Sequence, residues 1–153
     1  MKHLHPQYIT GLVEGEGSFS ISFSLRSKLS VGIETRPSFS ITLNQRDLEL
    51  LKLIHTYFSC GAIRYSKGDR TYKYEIRSIK EIVKHILPHF DSYALHGAKR
   101  KDYDIFKAIC LKIHRNLHLN ADHLSEIISD AYMMNPSGKR KHTKQYLLQT
   151  LTR

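Results

Sequence analysis

The chain is short of cysteine. Its two residues, Cys60 and Cys110, are too few and too far apart in sequence for a disulfide framework or a cysteine metal site, and they fit a reducing compartment. No apolar run approaches the roughly 20 residues that cross a bilayer, so no membrane partner is expected. The first residues, Met-Lys-His-Leu-His-Pro, lack the apolar stretch of a signal peptide and the Arg/Ser-rich character of a transit peptide. Internal repeats and low-complexity linkers are also missing. The 153 residues are therefore read as a single domain, 1–153, long enough to bury a core. Acids are the other scarcity: 14 Asp and Glu face 24 Lys and Arg, a net charge of +10. That imbalance points to a polyanionic partner. It is uneven, since residues 61–119 carry thirteen Lys/Arg against six acids.

The most informative stretch is Ile9-Thr10-Gly11-Leu12-Val13-Glu14-Gly15-Glu16-Gly17. Pro6 suits the first turn of a helix, where no backbone donor is needed. Gly11 and Gly15 lie four apart and strip the bulk from one helix face, which lets a second helix approach closely. Gly17 is expected to stop the helix with a positive φ. Glu14 and Glu16 then fall at the negative end of the helix dipole, where acids are disfavoured, and so point to a bound cation.

Beyond Gly17 the pattern changes to period two. Phe19, Ile21, Phe23 and Leu25 alternate with Ser18, Ser20, Ser22 and Ser24, and the polar side runs on into Arg26 and Lys28. A second strand is expected after Pro37, with Phe39, Ile41 and Leu43 on one side, and Ser38, Ser40, Thr42 and Arg36 on the other. Ser27–Glu34 reads as the hairpin loop. Asp47 is a suitable N-cap for a helix carrying Leu48, Leu51, Ile54 and Phe58, ended by Gly61. Residues 62–66 and 71–77 form a second hairpin around Lys67-Gly68-Asp69-Arg70. Its polar side carries Arg64, Ser66, Lys73, Glu75 and Arg77, with Arg70 at the turn. A short helix over Ser78–Leu87 should end before Pro88. Further helices are expected around Tyr103–Ile113, over Asn120–Met134 and over His142–Leu151, with Asn135-Pro136-Ser137-Gly138 breaking the last two apart. The fold class is α+β: an αββαββα core, a four-stranded antiparallel saddle-like sheet with helices on one face, and extra C-terminal helices.

The outward sheet face is rich in Arg, Lys and hydroxyls, groups suited to base edges and phosphates, and a two-stranded ribbon fits the major groove of DNA. The basic run Lys139-Arg140-Lys141 adds a candidate backbone contact. Cys110, His114 and His118 share a helix face, but at 1.5 Å per residue they span about 12 Å, too far for one zinc ion.

The nine-residue stretch resembles the signature of LAGLIDADG homing endonucleases, with Glu in place of Asp at both acidic positions and Thr10 in the usual alanine place. The resemblance extends to the two hairpins, to Gln45 after the second strand, and to Lys99-Arg100-Lys101-Asp102-Tyr103, which matches a Lys-x-x-Asp-aromatic pattern. It implies a site-specific double-strand DNA endonuclease acting on a long pseudo-palindromic target with divalent metal. Glu16, Lys99 and Gln45 would be catalytic, with Lys101 the second choice for the lysine. Glu16 and Gly15 would hold Mg²⁺, a site that Mn²⁺ or Ca²⁺ can also occupy. Gly11, Leu12 and Gly15 would form the interface of a homodimer, since one signature stands where longer members have two. No small-molecule organic cofactor is implied. Many members are encoded in organelle introns, which implies a mitochondrial or chloroplast setting. Two alternatives from other classes stay open: a maturase-type RNA-binding protein that assists intron splicing, and a DNA-binding module that does not cut.

Overall fold

The computed structural model describes residues 3–135 and 139–152. Its elements run in the order α1 (Pro6–Glu16), β1 (Gly17–Leu25), β2 (Ile33–Asn44), α2 (Leu48–Phe58), β3 (Ala62–Ser66), β4 (Thr71–Ile76), α3 (Ile79–Glu81), a π-helical turn (Ile82–Ile86), α4 (Leu87–Ser92), α5 (Lys99–His114), α6 (Ala121–Ala131) and α7 (Lys144–Thr150). One four-stranded sheet has the order β1-β2-β4-β3, and β4 pairs antiparallel with both β2 and β3. The class is α+β, as the pattern of periods required. Part of the expected Asn135–Gly138 break, residues 136–138, lies outside the described residues.

Packing divides the chain into two compact units. The first takes the described residues up to Phe19 together with Ser38–Arg100. Its core is an aromatic cluster on the inner side of the strands: Phe19 and Phe39 lie 5.3 Å apart, and Phe90 lies 5.3 Å from Phe19 and 5.7 Å from Phe39. Phe58 of α2 meets Phe39 edge-on at 5.9 Å. Leu51, Ile54 and Phe58 are the buried stripe of α2, at the spacing expected of an amphipathic helix. The second unit takes Ser20–Pro37 and the described residues from Lys101 onward. There Ile21, Val31 and Ile33 are buried, as are Phe106, Ile109, Cys110, Leu124, Ile127, Ile128 and Leu147 of the three C-terminal helices.

Several local expectations are corrected. Gly17 is extended (φ −88°, ψ 164°) and does not use the left-handed region. It is glycine for space, because a Cβ there would lie 2.6 Å from Val13 Cγ1. Strand β2 begins at Ile33 and runs through Pro37. Proline is tolerated because β4 reaches only to Ile76, opposite Phe39, so no β4 carbonyl waits for a donor at Pro37. The left-handed bend sits instead in the β1–β2 loop, at Gly32 (φ 79°). Asp47 makes no capping bond; Asn44 caps the 3₁₀ turn that precedes α2, by accepting from the Arg46 N–H at 3.0 Å. Helix α2 ends on Ser59 at φ 62°, two residues before Gly61. In the β3–β4 turn the positive φ falls on Arg70, not on Gly68. Pro88 does not end its helix. The π turn before it shifts the hydrogen-bond register, so the proline enters the first turn of α4, where it owes no donor. Leu25 is not on the covered face; it is 47% exposed at the end of β1.

Candidate active site and nucleic-acid interface

Helix α1 starts on a side-chain cap, His5 Nδ1 accepting from the Gln7 N–H at 3.1 Å, with Pro6 in the first turn. Ile9, Thr10 and Val13 are its buried residues. Its far end brings the two motif acids into different surroundings. Glu14 Oε2 accepts the backbone N–H groups of His96 (2.7 Å) and Gly97 (3.0 Å). The His96 bond is the main reason the Glu14 carboxyl titrates below its ordinary value; partial burial opposes the shift, and Gly97 and the charges of His96 and Lys99 assist it. Glu16 is exposed, and no described residue donates a hydrogen bond to it or pairs with it. The Lys99 ammonium donates to Val13 O (2.8 Å) and Gly17 O (2.5 Å). Val13 O, which also accepts the Gly17 N–H, and Gly17 O lie at the C-terminal end of α1, the negative end of its dipole. The acids that seemed misplaced at this helix end are thus balanced by backbone donors for Glu14 and by a cation set on the carbonyls.

Other candidates fall around this core. Lys101 is exposed and belongs to the second unit. Gln45 is tied to the second hairpin: its N–H donates to Arg70 O at 2.9 Å, and its side-chain oxygen accepts from the Tyr65 hydroxyl at 3.0 Å. Gly11 and Gly15 are exposed, and a Cβ on either would meet nothing within 4 Å. Leu12 beside them is half-buried. Among the described residues no group of three or more His, Cys, Asp or Glu could hold a metal ion. A single chain offers the Glu16 carboxylate and the neighbouring Gly15 carbonyl, hard oxygen donors of the kind Mg²⁺ takes, but too few of them to complete a coordination shell.

In the first unit, β2 and β4 pair Ser40 with Glu75 and Thr42 with Lys73, while β3 sets Arg64 opposite Lys73 and Ser66 opposite Thr71. The side chains between the buried Phe39, Ile41, Leu43, Tyr74 and Ile76 form the polar side of this ribbon. Arg64, Arg70, Lys73 and Arg77 are exposed there; Ser40 is nearly covered. Glu75 is the hub: it accepts the Ser38 hydroxyl at 2.6 Å and pairs with Arg77 at 3.2 Å, Lys73 at 3.4 Å and Arg64 at 4.0 Å. Burial pushes the Glu75 carboxyl up, but the Ser38 bond and the Lys73 and Arg77 charges outweigh it and leave it below the ordinary value.

In the second unit, Ser20 and Ser24 are half-buried, and Ser22, Arg26, Lys28 and Arg36 are exposed. Glu34 bridges Arg26 and Arg36, at 3.1 Å from each. Lys139 and Lys141 are exposed or nearly so, and line a hollow with Ser20, Ser22, Tyr132 and His142. Arg140 departs from the expected phosphate contact. It donates to Ile21 O (2.7 Å) and Ala131 O (2.9 Å), and its guanidinium lies 4.4 Å from the Tyr132 ring centre.

Sequence reasoning missed Glu34, because the start of β2 was placed at Pro37 and the acid fell into a loop. Continuing the period-two alternation back from Phe39 would have found it. It also missed His89, buried in the first unit with Thr10 Oγ1 at 3.0 Å on Nε2 and the Tyr57 hydroxyl at 2.8 Å on Nδ1.

A motif helix ending in an exposed carboxylate, a lysine fixed on its last carbonyls and a polar antiparallel ribbon define a protein of the nuclease-like α+β class. The chain belongs to the LAGLIDADG endonuclease family, whose profile matches residues 9–110. It is 32% identical over 133 residues to a probable intron-encoded endonuclease of Neurospora crassa, a match that covers 86% of this chain and 29% of the relative. The chain spans between 25% and 50% of the length of four of the curated relatives it matches. Among solved structures, the homing endonuclease I-TnaI superposes with a TM-score of 0.84 at 28% identity, covering 97% of each chain. I-SmaMI bound to cleaved DNA superposes at 0.89 and 31% identity, covering 97% of this chain and 49% of that one.

Proposed function

We propose that this chain is a site-specific double-strand DNA endonuclease that hydrolyses phosphodiester bonds in a long pseudo-palindromic target. The single observation that carries the reading is the divergence of the two motif acids: Glu14 is held through Oε2 by two backbone donors, while Glu16 is left exposed beside a lysine already fixed on the helix end. Glu16 and the Gly15 carbonyl are the residues that would hold a divalent metal, with Mg²⁺ the natural choice for hard oxygen donors. Bound there, the metal supplies water activation and charge neutralisation at the phosphate. Lys99 places a positive charge next to the reacting phosphate, and Gln45 orients solvent from the β2 end. One carboxylate per copy calls for two copies, and the open Gly11/Gly15 face, with Leu12, is where they meet. The whole of 1–153 acts as one domain in this reading. The polar ribbon residues of both hairpins lie against the major groove, with Lys139 and Lys141 on the backbone. Relatives named as intron-encoded support an organelle setting.

The test is incubation with a randomised duplex library, with and without Mg²⁺, followed by sequencing of the ends. Specific staggered cuts that need the metal are expected. Glu16→Gln should lose cutting by on the order of 10³-fold, as removal of several kcal/mol of transition-state stabilisation requires, and keep binding. Undiminished cutting by Glu16→Gln would sink the metal assignment. Capture of structured RNA with no DNA cut would replace this reading with the maturase type.

A further inference from the structure

The four strands contain only two carboxylates, Glu34 and Glu75, and each is the centre of a cation set. In the first unit the acid is the fixed partner. The Glu75 side chain is 14% exposed and is anchored by Ser38, whereas Lys73, Arg77 and Arg64 are 47%, 50% and 67% exposed. The second unit repeats the arrangement, with Glu34 23% exposed between Arg26 and Arg36 at 49% and 52%.

Building on the DNA-binding reading, we propose that Glu75 and Glu34 are specificity-determining residues that restrain the basic side chains of the ribbon from binding the phosphates of arbitrary DNA. Exposed ion pairs of this kind are weak, since solvent screens them and two long side chains must be held in one geometry. A matched bidentate contact to a base edge is stronger, and draws an arginine off its carboxylate. A phosphate met at random must displace the same acid and also approach its negative charge, with no base-edge contact to offset the repulsion, so the competition is lost. The carboxylate is therefore a penalty set against wrong partners, the repulsive half of a specificity device. Each acid serves its own set: Glu75 holds Lys73 and Arg77 closely, and Glu34 holds Arg26 and Arg36.

Glu75→Gln tests this, since it keeps the shape and an acceptor for Ser38 while removing the charge. Binding is measured without metal, on a mixed-sequence duplex and on the sequence enriched from the random library, over about 50–200 mM salt. The variant should bind the mixed-sequence duplex several-fold more tightly, with a salt slope steeper by about 0.9 for each released cation that finds a phosphate. Its preference for the enriched sequence should fall by a similar factor, and Glu34→Gln should behave alike. Glu49→Gln is the control for net charge, because Glu49 pairs with Lys52 on α2 and holds no ribbon cation; its slope should stay at the wild-type value. An unchanged slope in Glu75→Gln, or an equal change in Glu49→Gln, overturns the proposal. Wild-type protein that binds no duplex at any salt overturns instead the DNA reading beneath it.

Discussion

The tripeptide Lys-Arg-Lys occurs twice, at 99–101, where Lys99 and Arg100 belong to the first packing unit, and at 139–141 in the second, and the two copies are used differently. In the first, the leading lysine turns inward to the end of α1 and gives its ammonium to Val13 O and Gly17 O. In the second, the middle arginine turns inward, gives both terminal nitrogens to Ile21 O and Ala131 O, and lays its plane near Tyr132. Both cations bond main-chain carbonyls, yet in the proposed function one serves the site and the other only the fold. Each cation takes one carbonyl from a helix end and one from β1, Val13 and Gly17 for Lys99, Ala131 and Ile21 for Arg140. What separates them is the neighbourhood: the Lys99 pair flanks the exposed Glu16, whereas the Arg140 pair lies under Tyr132. A basic run in a sequence therefore says nothing of which charge stays outside.

The sharpest break of this comparison is Lys99→Met. If Lys99 holds the preorganised charge proposed for it at the reacting phosphate, its loss should slow single-turnover cutting by about 10²–10³-fold with DNA affinity nearly unchanged. Lys99→Arg should not rescue it, because a planar fork does not reproduce an ammonium on two carbonyls. If Lys99→Met cuts normally and Lys101→Met does not, the two lysines exchange roles.

Arg140→Met makes the converse prediction. It should strip partners from two carbonyls and cost about 2–4 kcal/mol in denaturant unfolding, while the salt slope of DNA binding stays at the wild-type value. A phosphate-contacting arginine would behave the other way, keeping stability and lowering the slope by about 1. Lys139→Met and Lys141→Met should follow that second pattern.

Legibility in the sequence followed the same divide. The element order, the α2 stripe, the β3 strand and the polar ribbon could be read, because period two and period 3.6 are written in neighbouring residues. The nine-residue motif and its glycine face were also plain. The partners of Glu14 were not, since His96 and Gly97 lie some 80 positions away and contribute backbone, which leaves no side-chain signature. Arg140 misled for a related reason: its carbonyl partners are anonymous in sequence. Pro37 and Pro88 misled because proline rules assume a waiting acceptor, and a short neighbour strand or a π turn removes that demand.

Buried polar groups extend the contrast between the units. His89 in the first is fully partnered: Thr10 Oγ1 donates to Tyr93 O at 2.9 Å, so it accepts from His89 Nε2–H, and Nδ1 accepts from the Tyr57 hydroxyl. That network fits only the neutral ring, and burial lowers the His89 pKa from 6.5 to about 4. The unfolded chain therefore binds a proton that the folded one refuses between those values. Stability should be full above about pH 6.5 and fall by roughly 1.4 kcal/mol per unit as the pH drops toward 4. Chemical denaturation across that range checks it, and His89→Gln should flatten this part of the profile.

Thr35 is the matching group of the second unit, and it has no partner. It is 8% exposed on β2, and its hydroxyl finds no hydrogen bond among the described residues. The hydroxyl is desolvated without return, whereas a methyl of nearly the same size suits both the site and the strand. Thr35→Val should therefore raise stability by about 1 kcal/mol, seen as a higher denaturant midpoint at unchanged m-value. Thr10→Val, the same chemical change made where the hydroxyl is used twice, should lower stability by about 1–3 kcal/mol. Equal signs for the two substitutions would mean that the valine packing, and not hydrogen-bond satisfaction, sets the difference between the units.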